Sequence, residues 1–338
     1  MAPLPKTMRA VVCAETGDID VLKLQDIPIP TPASGQVLLK ILGFGINRAE
    51  MYTRQGHSPT VKFPRIIGIE CIGRIVAYGD SAQTPAHPIG ARVATCMGGL
   101  GREIPGSYAE YTCVDTGNIR AIPSTSLPVS VLASLPEMMQ TTWGSLVSGL
   151  DLQPGESLLV RGATSSIGLC ALQLAARTLG AGRIAGTTRN AAREQMLRDC
   201  GADEVFVDHG EIANQVAQSP GGRFDKVLEL NGATTLRDSL RCATTKGTVC
   251  MTGIQGGSWE LDQFYPIVDL PNRVRLCAYG GGPEDFHEMP FEQIVKDVEE
   301  GKVKIPLKQF RLDDIQEVHR TLESGGGGAK MVVVVSDE

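Results

Sequence analysis

Hydrophobic positions along this chain fall into two textures. Up to about residue 125 they come in short runs bounded by Pro or Gly: Met8–Cys13, Gln36–Phe44, Ile66–Tyr78, Ala91–Cys96 and Tyr108–Val114. Runs of this length between turn residues predict short strands. Pro28–Pro32 and Gly79–Ser81 read as loops, and nothing here resembles a long helix. A compact, mostly β domain is expected.

From Ser157 the pattern changes to alternation. Strand-like segments at Ser157–Arg161, Arg183–Thr187, Glu204–Val207, Lys226–Leu230 and Thr248–Gly253 are separated by helix-like ones at Ile167–Leu179, Ala191–Cys200, Glu211–Gln218 and Ala233–Cys242. Short connections between alternating strands and helices predict a parallel, doubly wound sheet, with Val274–Tyr279 as its last strand. Amphipathic helices follow at Phe291–Glu300 and Asp313–Leu322, then a glycine turn at Gly325–Gly328 and a strand at Met331–Val335. This tail has no place in the parallel sheet and is expected to return to the β domain. The division expected is 1–127 with 285–338 in one domain and 128–284 in the other.

A length of 338 residues suits two domains. The formal net charge of −6, with no long basic run to offset it, argues against nucleic acid and anionic membrane as partners. No apolar run exceeds Met331–Val335, far short of a membrane span, and the first residues lack a secretory pattern, so a cytoplasmic address is expected. The nine cysteines are scattered, with neither a Cys-x-x-Cys pair nor a Cys/His cluster. They read as reduced, mostly buried thiols, without disulfide or structural metal.

The segment Val160–Gly168 leaves a strand and enters a helix, which is the context of a phosphate-cradling turn. Glycines let a pyrophosphate approach, and helix N–H groups then hold it. Gly162, Ala163, Thr164, Ser165, Ser166, Ile167 and Gly168 depart from a strict three-glycine form, but the serine hydroxyls can donate to phosphate. About twenty residues on, where an acidic residue would hold the free ribose 2′-hydroxyl of NAD, stand Thr187, Thr188 and Arg189. Arg189 can instead clasp the 2′-phosphate of NADP, or be a solvated charge at a helix start.

Beside this turn, the stretches Gly45–Gly56, Pro64–Val76 and Gly106–Tyr111, with weaker matches at Leu135-Pro136, Thr141-Thr142-Trp143 and Gly201-Ala202-Asp203, give the chain a resemblance over nearly its whole length. It resembles the zinc-independent medium-chain dehydrogenases/reductases of the quinone oxidoreductase (zeta-crystallin-like) group. The resemblance implies an α/β fold: a Rossmann doubly wound parallel sheet domain plus a mostly β, GroES-like catalytic domain. Zinc-dependent members carry Cys where Asn47 stands and Gly-His-Glu where Gly68-Ile69-Glu70 stands, so zinc is not expected as Lewis acid. The resemblance also implies active-site positions at Asn47, Tyr52 and Arg54, and cofactor contacts at Thr142, Asn231, Gly253 and Ile254. Glu50 is one methylene longer than the acidic residue usual at its place.

Tyr52 can donate to an oxygen that gains charge after hydride arrival, and Asn47 can donate an amide N–H. Each also has a structural reading, Tyr52 as packing and Asn47 as a turn residue. His57 reads as a loop histidine or a proton relay. Glu70, in an apolar strand, is expected to be partly buried against a basic partner such as an Arg. The function expected is NADPH-dependent reduction of a quinone or α,β-unsaturated carbonyl between the domains, in a homodimer formed by edge-strand pairing. Alternatives are a pathway-dedicated enoyl or ketone reductase of secondary metabolism and a non-catalytic NADPH-binding protein.

Overall fold

The computed structural model describes residues 4–80, 86–325 and 328–336. These divide into two compact units, 1–137 with 282–299 and 306–338, and 138–281 with 300–305. The breaks therefore fall ten residues later and three residues earlier than the expected 127/128 and 284/285, and residues 300–305 join the second unit. Gly326 and Gly327 of the glycine turn, and Ser81, lie outside the described residues.

The first unit opens with an antiparallel pair, β1 (Thr7–Cys13) and β2 (Leu22–Pro28). After β3 (Gln36–Gly45) comes a short helix, α1 (Arg48–Arg54), and then β4 (Glu70–Tyr78), β5 (Arg92–Cys96), β6 (Tyr111–Asp115) and β7 (Arg120–Ala121). A four-residue helix, α2 (Val129–Leu132), leads to α3 (Pro136–Gly144), inside which the division between units falls.

The second unit holds β8 (Ser157–Arg161), α4 (Ser166–Arg177), β9 (Arg183–Thr188), α5 (Glu194–Asp199), β10 (Glu204–Val207) and α6 (Ala213–Gln218). It continues through β11 (Phe224–Glu229), α7 (Ala233–Arg241), β12 (Ala243–Met251), the short α8 (Pro266–Asp269) and β13 (Arg275–Ala278). Its six strands are all parallel in the order β10-β9-β8-β11-β12-β13. The order reverses direction between β8 and β11, and a ligand crevice belongs outside the strand ends at such a switch point. Leu158, Leu159, Val160, Val227 and Leu228 are fully buried, as strands covered on both faces require.

The chain returns to the first unit through α9 (Pro283–Glu288), α10 (Phe291–Glu299), β14 (Leu307–Arg311), α11 (Ile315–Glu323) and β15 (Lys330–Val334). β15 pairs antiparallel with β3, Val332 opposite Gly45, within a sheet ordered β14-β15-β3-β4-β5-β7, with β6 also on β3. Pairing of this C-terminal strand beside β3 brings the end of β3 and the starts of β4 and β15 to one place, where the polar residues of this unit gather.

Candidate functional site

In the second unit the turn after β8 is built for close approach. Gly162 has φ +82°, and a Cβ there would come within 2.9 Å of Asn231 Oδ1, so the turns after β8 and β11 meet. A Cβ on Gly168 would lie 2.6 Å from Ala163 Cα, and one on Gly253 would collide with the Leu230 carbonyl. Backbone thus stands where side chains would block a ligand. Ser165 caps α4: its hydroxyl accepts from Gly168 N–H at 3.1 Å and donates to Gly162 O at 2.9 Å. The expectation that this hydroxyl donates to phosphate is corrected, because its proton already folds the turn. What remains are the hydroxyls of Thr164 and Ser166, with no side-chain bond among the described residues, and the first-turn N–H groups of Ser166 and Ile167.

The end of β9 needs a similar correction. Thr187 is buried, accepts from Gly162 N–H at 3.0 Å and donates to Asp208. The Thr188 hydroxyl is bonded to both polar backbone groups of Asn190. Arg189 is exposed and makes no ion pair or side-chain hydrogen bond among the described residues, so it alone of the three is left for a ligand. Thr142 is fully buried and donates to Met138 O at 2.7 Å, so its hydroxyl can meet a cofactor only as an acceptor.

Beneath the turn lies a buried charge network the sequence reading missed. Arg161, with no exposed surface, forks onto Asp208 at 2.9 and 3.1 Å and reaches Asp238 at 2.7 Å. Burial works against the charge of Asp208, but the bonds from Arg161 leave its carboxyl below the ordinary range. Glu229, fully buried, accepts from Asn231 N–H at 2.6 Å, Gly232 N–H at 3.0 Å and the hydroxyls of Thr235 and Ser239, while burial pushes its pKa up. A charged residue closing an apolar parallel strand was the available signal for Arg161, since such a charge requires a buried partner.

In the first unit, Asn47 is the N-cap of α1 in a capping box with Glu50, whose carboxylate accepts Asn47 N–H at 2.9 Å. The Asn47 amide oxygen accepts from the Lys330 ammonium. One N–H of its Nδ2 donates to Glu70 Oε1 at 2.9 Å, and the other has only a 3.4 Å contact to Glu50 Oε1. Since an ammonium only donates, Lys330 fixes which end of the amide faces it. Glu70 is fully buried; its partner is Lys330, at 2.9 Å, and not an Arg. Its second oxygen accepts Glu137 N–H at 2.8 Å, and the Glu137 carboxylate is 3.7 Å from Lys330. Gly45 makes room for this arrangement, because a Cβ there would strike Glu70 Oε1. Three carboxylates around one ammonium leave buried negative charge in excess. Burial, reinforced by Glu70 and Glu137, pushes Glu50 up to about 7, whereas the same carboxylates hold Lys330 above its ordinary value against its own burial.

Tyr52 is half-buried on α1, its ring edge-on to His57 at 5.9 Å between centroids. Arg54 is not beside it chemically. Its guanidinium is 1% exposed and engaged by Gly17 O, Glu323 and His319 Nδ1, so the expected active-site role is corrected to a clamp between α1 and α11. Asn47 caps the start of α1 and Tyr52 stands one turn further along the same helix, while Arg54 faces the core. Among the described residues no three His, Cys, Asp or Glu side chains converge as metal ligands.

Comparison with known proteins adds to this geometry. Residues 33–124 match the family Alcohol dehydrogenase GroES-like domain, and 166–293 match Zinc-binding dehydrogenase. The human protein Quinone oxidoreductase is 29% identical, covering 99% of this chain and all of its own. A Pseudomonas syringae quinone oxidoreductase superposes with a TM-score of 0.85 at 21% identity over 97% of this chain and 99% of that one, a likeness of fold. A mycobacterial protein solved in complex with NADPH gives 0.83 at 25% identity over 97% and 99% of the two chains.

Proposed function

The chain belongs to the medium-chain dehydrogenase/reductase superfamily, and we propose that it is an NADPH-dependent reductase of quinones or α,β-unsaturated carbonyl compounds. The observation that carries this reading is Arg189, an exposed cation just after β9 with no ion pair or side-chain hydrogen bond among the described residues, where no carboxylate stands to hold a free ribose hydroxyl. The turn fits a dinucleotide: Gly162, Gly168 and Gly253 clear the backbone, and the N–H groups of Ser166 and Ile167 with the Thr164 and Ser166 hydroxyls would hold the phosphates. When bound, the nicotinamide supplies the hydride. The work of this chain's own residues is to stabilise the oxygen that gains charge. The Asn47 N–H left with a 3.4 Å contact and the Tyr52 hydroxyl are the donors for the resulting enolate or phenolate.

This reading needs no zinc. Where a metal would take a ligand at position 47, the Asn47 oxygen is already bonded to the Lys330 ammonium, which takes the place beside Glu70 that a metal cation would need. Activity is expected to survive strong chelator, and one zinc per chain by elemental analysis would overturn this part of the proposal.

The main test is purified protein with a simple naphthoquinone, followed at the nicotinamide absorbance with NADPH and then NADH. Dissociation constants for both cofactors in wild type and Arg189→Ala then locate the preference. Charge-assisted hydrogen bonds to a phosphate contribute about 1.5–3 kcal/mol, so NADPH should weaken roughly 10- to 150-fold and NADH hardly at all. Equal weakening of the two, or a wild-type preference for NADH, would refute the phosphate assignment. Absence of turnover with both would refute the reductase.

A further inference from the structure

The nine cysteines are all free, and scattered spacing gave no reason to pair any two. The sheet register does. β12 and β13 run parallel with Cys250 directly beside Cys277. Neighbours in register on parallel strands project from the same face, so both thiols point the same way. Among the described residues no other two cysteines are register partners: Cys13, Cys71, Cys96 and Cys113 stand opposite Leu22, Thr95, Glu70 and Leu38.

Each thiol has its own hydrogen-bond neighbour, Cys250 Sγ lying 3.6 Å from the Thr252 hydroxyl oxygen and Cys277 donating to Gly149 O at 3.1 Å. The neighbouring Cys250 thiol, aided by the Lys226 ammonium and opposed by burial, holds the Cys277 pKa down, at about 7, while Cys277 and burial raise that of Cys250. The pair is asymmetric in access as well. Cys250 is fully buried, whereas Cys277 on the sheet's edge strand is half-buried. Space has been kept for the sulfurs: a Cβ on Gly149 would come within 2.7 Å of Cys250 Sγ. A half-accessible, acidic thiol with a second thiol beside it in register is the arrangement of an attacking and a resolving cysteine.

We propose that Cys250 and Cys277 are a site of reversible oxidation, closing to an intrachain disulfide when the protein meets hydrogen peroxide. The Cys277 thiolate attacks one peroxide oxygen. The O–O bond breaks and, with the proton the thiol gave up, the other oxygen leaves as water, so Cys277 becomes a sulfenic acid. The Cys250 sulfur then attacks the Cys277 sulfur, the S–O bond breaks, and a second water leaves with the Cys250 proton. Two thiols have lost two electrons in total, and the peroxide has gained them.

The bond is expected to be easily reduced. Strands about 4.8 Å apart satisfy the Cα separation of a disulfide but hold parallel Cβ atoms wider than the usual 3.5–4.5 Å, and strained disulfides have oxidising potentials. Oxidation would staple the edge strand β13 to β12 and remove the Cys277 bond to Gly149.

The test uses the whole protein treated with hydrogen peroxide, blocked with an alkylating agent and weighed intact. The expected result is loss of two hydrogen atoms per chain, restored by dithiothreitol. Trypsin without reduction separates the cysteines into peptides 247–273 and 276–296, which should then be found linked. Cys277→Ser, at the half-buried position, should abolish the link. Both thiols remaining alkylatable, Cys277 proceeding to sulfinic acid with no linked peptide, or a link joining two chains would overturn the proposal. Mapping of the wild type decides by itself should the variant fail to fold.

Discussion

His319 shows how one side chain sets a pH dependence. It has no exposed surface, and Arg54 Nε donates to its Nδ1 at 3.3 Å, so that nitrogen is bare and Nε2–H faces the Tyr108 hydroxyl at 3.2 Å. Burial, with the Arg54 charge behind it, lowers its pKa to about 3. The unfolded chain's imidazole keeps an ordinary value near 6.5. As pH falls below that value, the unfolded state binds a proton the folded state refuses, and stability is lost progressively down to about pH 3. At pH 5 the loss from this group is about 2 kcal/mol. Glu50, raised to about 7, opposes it, because its folded carboxyl takes up a proton more readily than its unfolded one. The wild-type curve is therefore a sum, and a difference isolates His319. Gln at this position can accept from Arg54 and donate to Tyr108 without titrating. Thermal melts from pH 7.5 to 5 should show wild type losing about 2 kcal/mol relative to His319→Gln, and parallel curves would show that His319 is not the acid-labile group.

At the scale of elements, the turn after β8 depends on a close contact between helix and strand end. Gly168→Ala puts a methyl 2.6 Å from Ala163 Cα, against backbone that cannot rotate away, so α4 must shift from the turn. Overpacking of this kind costs about 1–3 kcal/mol, and the displaced N–H groups should weaken nucleotide binding by tenfold or more by the same estimate. Melting and NADPH titration of the variant check both. Wild-type affinity with a lowered melting temperature would confine this glycine to packing. The elements most legible in the sequence were those whose apolar runs stand between turn residues: Ser157–Arg161, in the middle of the parallel sheet, and Glu204–Val207, at its edge, begin and end where the apolar runs do. Those missed were polar, whether buried or exposed. α1 reads Arg-Ala-Glu-Met-Tyr-Thr-Arg with little periodicity, although Asn47 and Glu50, spaced as a capping box, announced it. β2 and β14 were missed because they are exposed along much of their length. The run Ile66–Tyr78 enters its ladder only at Glu70, because Gly68 takes φ +108° and its backbone packs on Gly101. Of the site, glycines and Arg189 could be read from sequence. The hydroxyls bound to neighbouring backbone, and Lys330 across from Asn47 and Glu70, depend on long-range pairing that no local pattern carries.

Over the whole molecule, the parallel sheet ends in an edge that no further strand pairs with among the described residues. β13 is hydrogen-bonded to β12 alone among the described residues, and its burial is slight, with Leu276 37% exposed. The segment leading into it carries Tyr265, Ile267 and Val268 at 60, 94 and 76% exposure. An unpaired strand edge beside apolar side chains is a template for another strand, and a two-fold axis lets the same edge and patch serve both partners. We propose a second copy of this chain as the occupant, with β13 meeting β13 through backbone while Cys250 and Cys277 stay on the sheet face, perpendicular to that edge. Ile267 touches little within its own chain, so Ile267→Asp should leave the monomer's melting nearly unchanged, within about 0.5 kcal/mol, yet place two carboxylates against the apolar patch of the partner. Sedimentation at micromolar concentration should give a dimer for wild type and a shift toward monomer for the variant. Wild type sedimenting as a monomer would refute the pairing, and a dimer indifferent to Ile267→Asp and Val268→Asp would place the two-fold elsewhere on the surface.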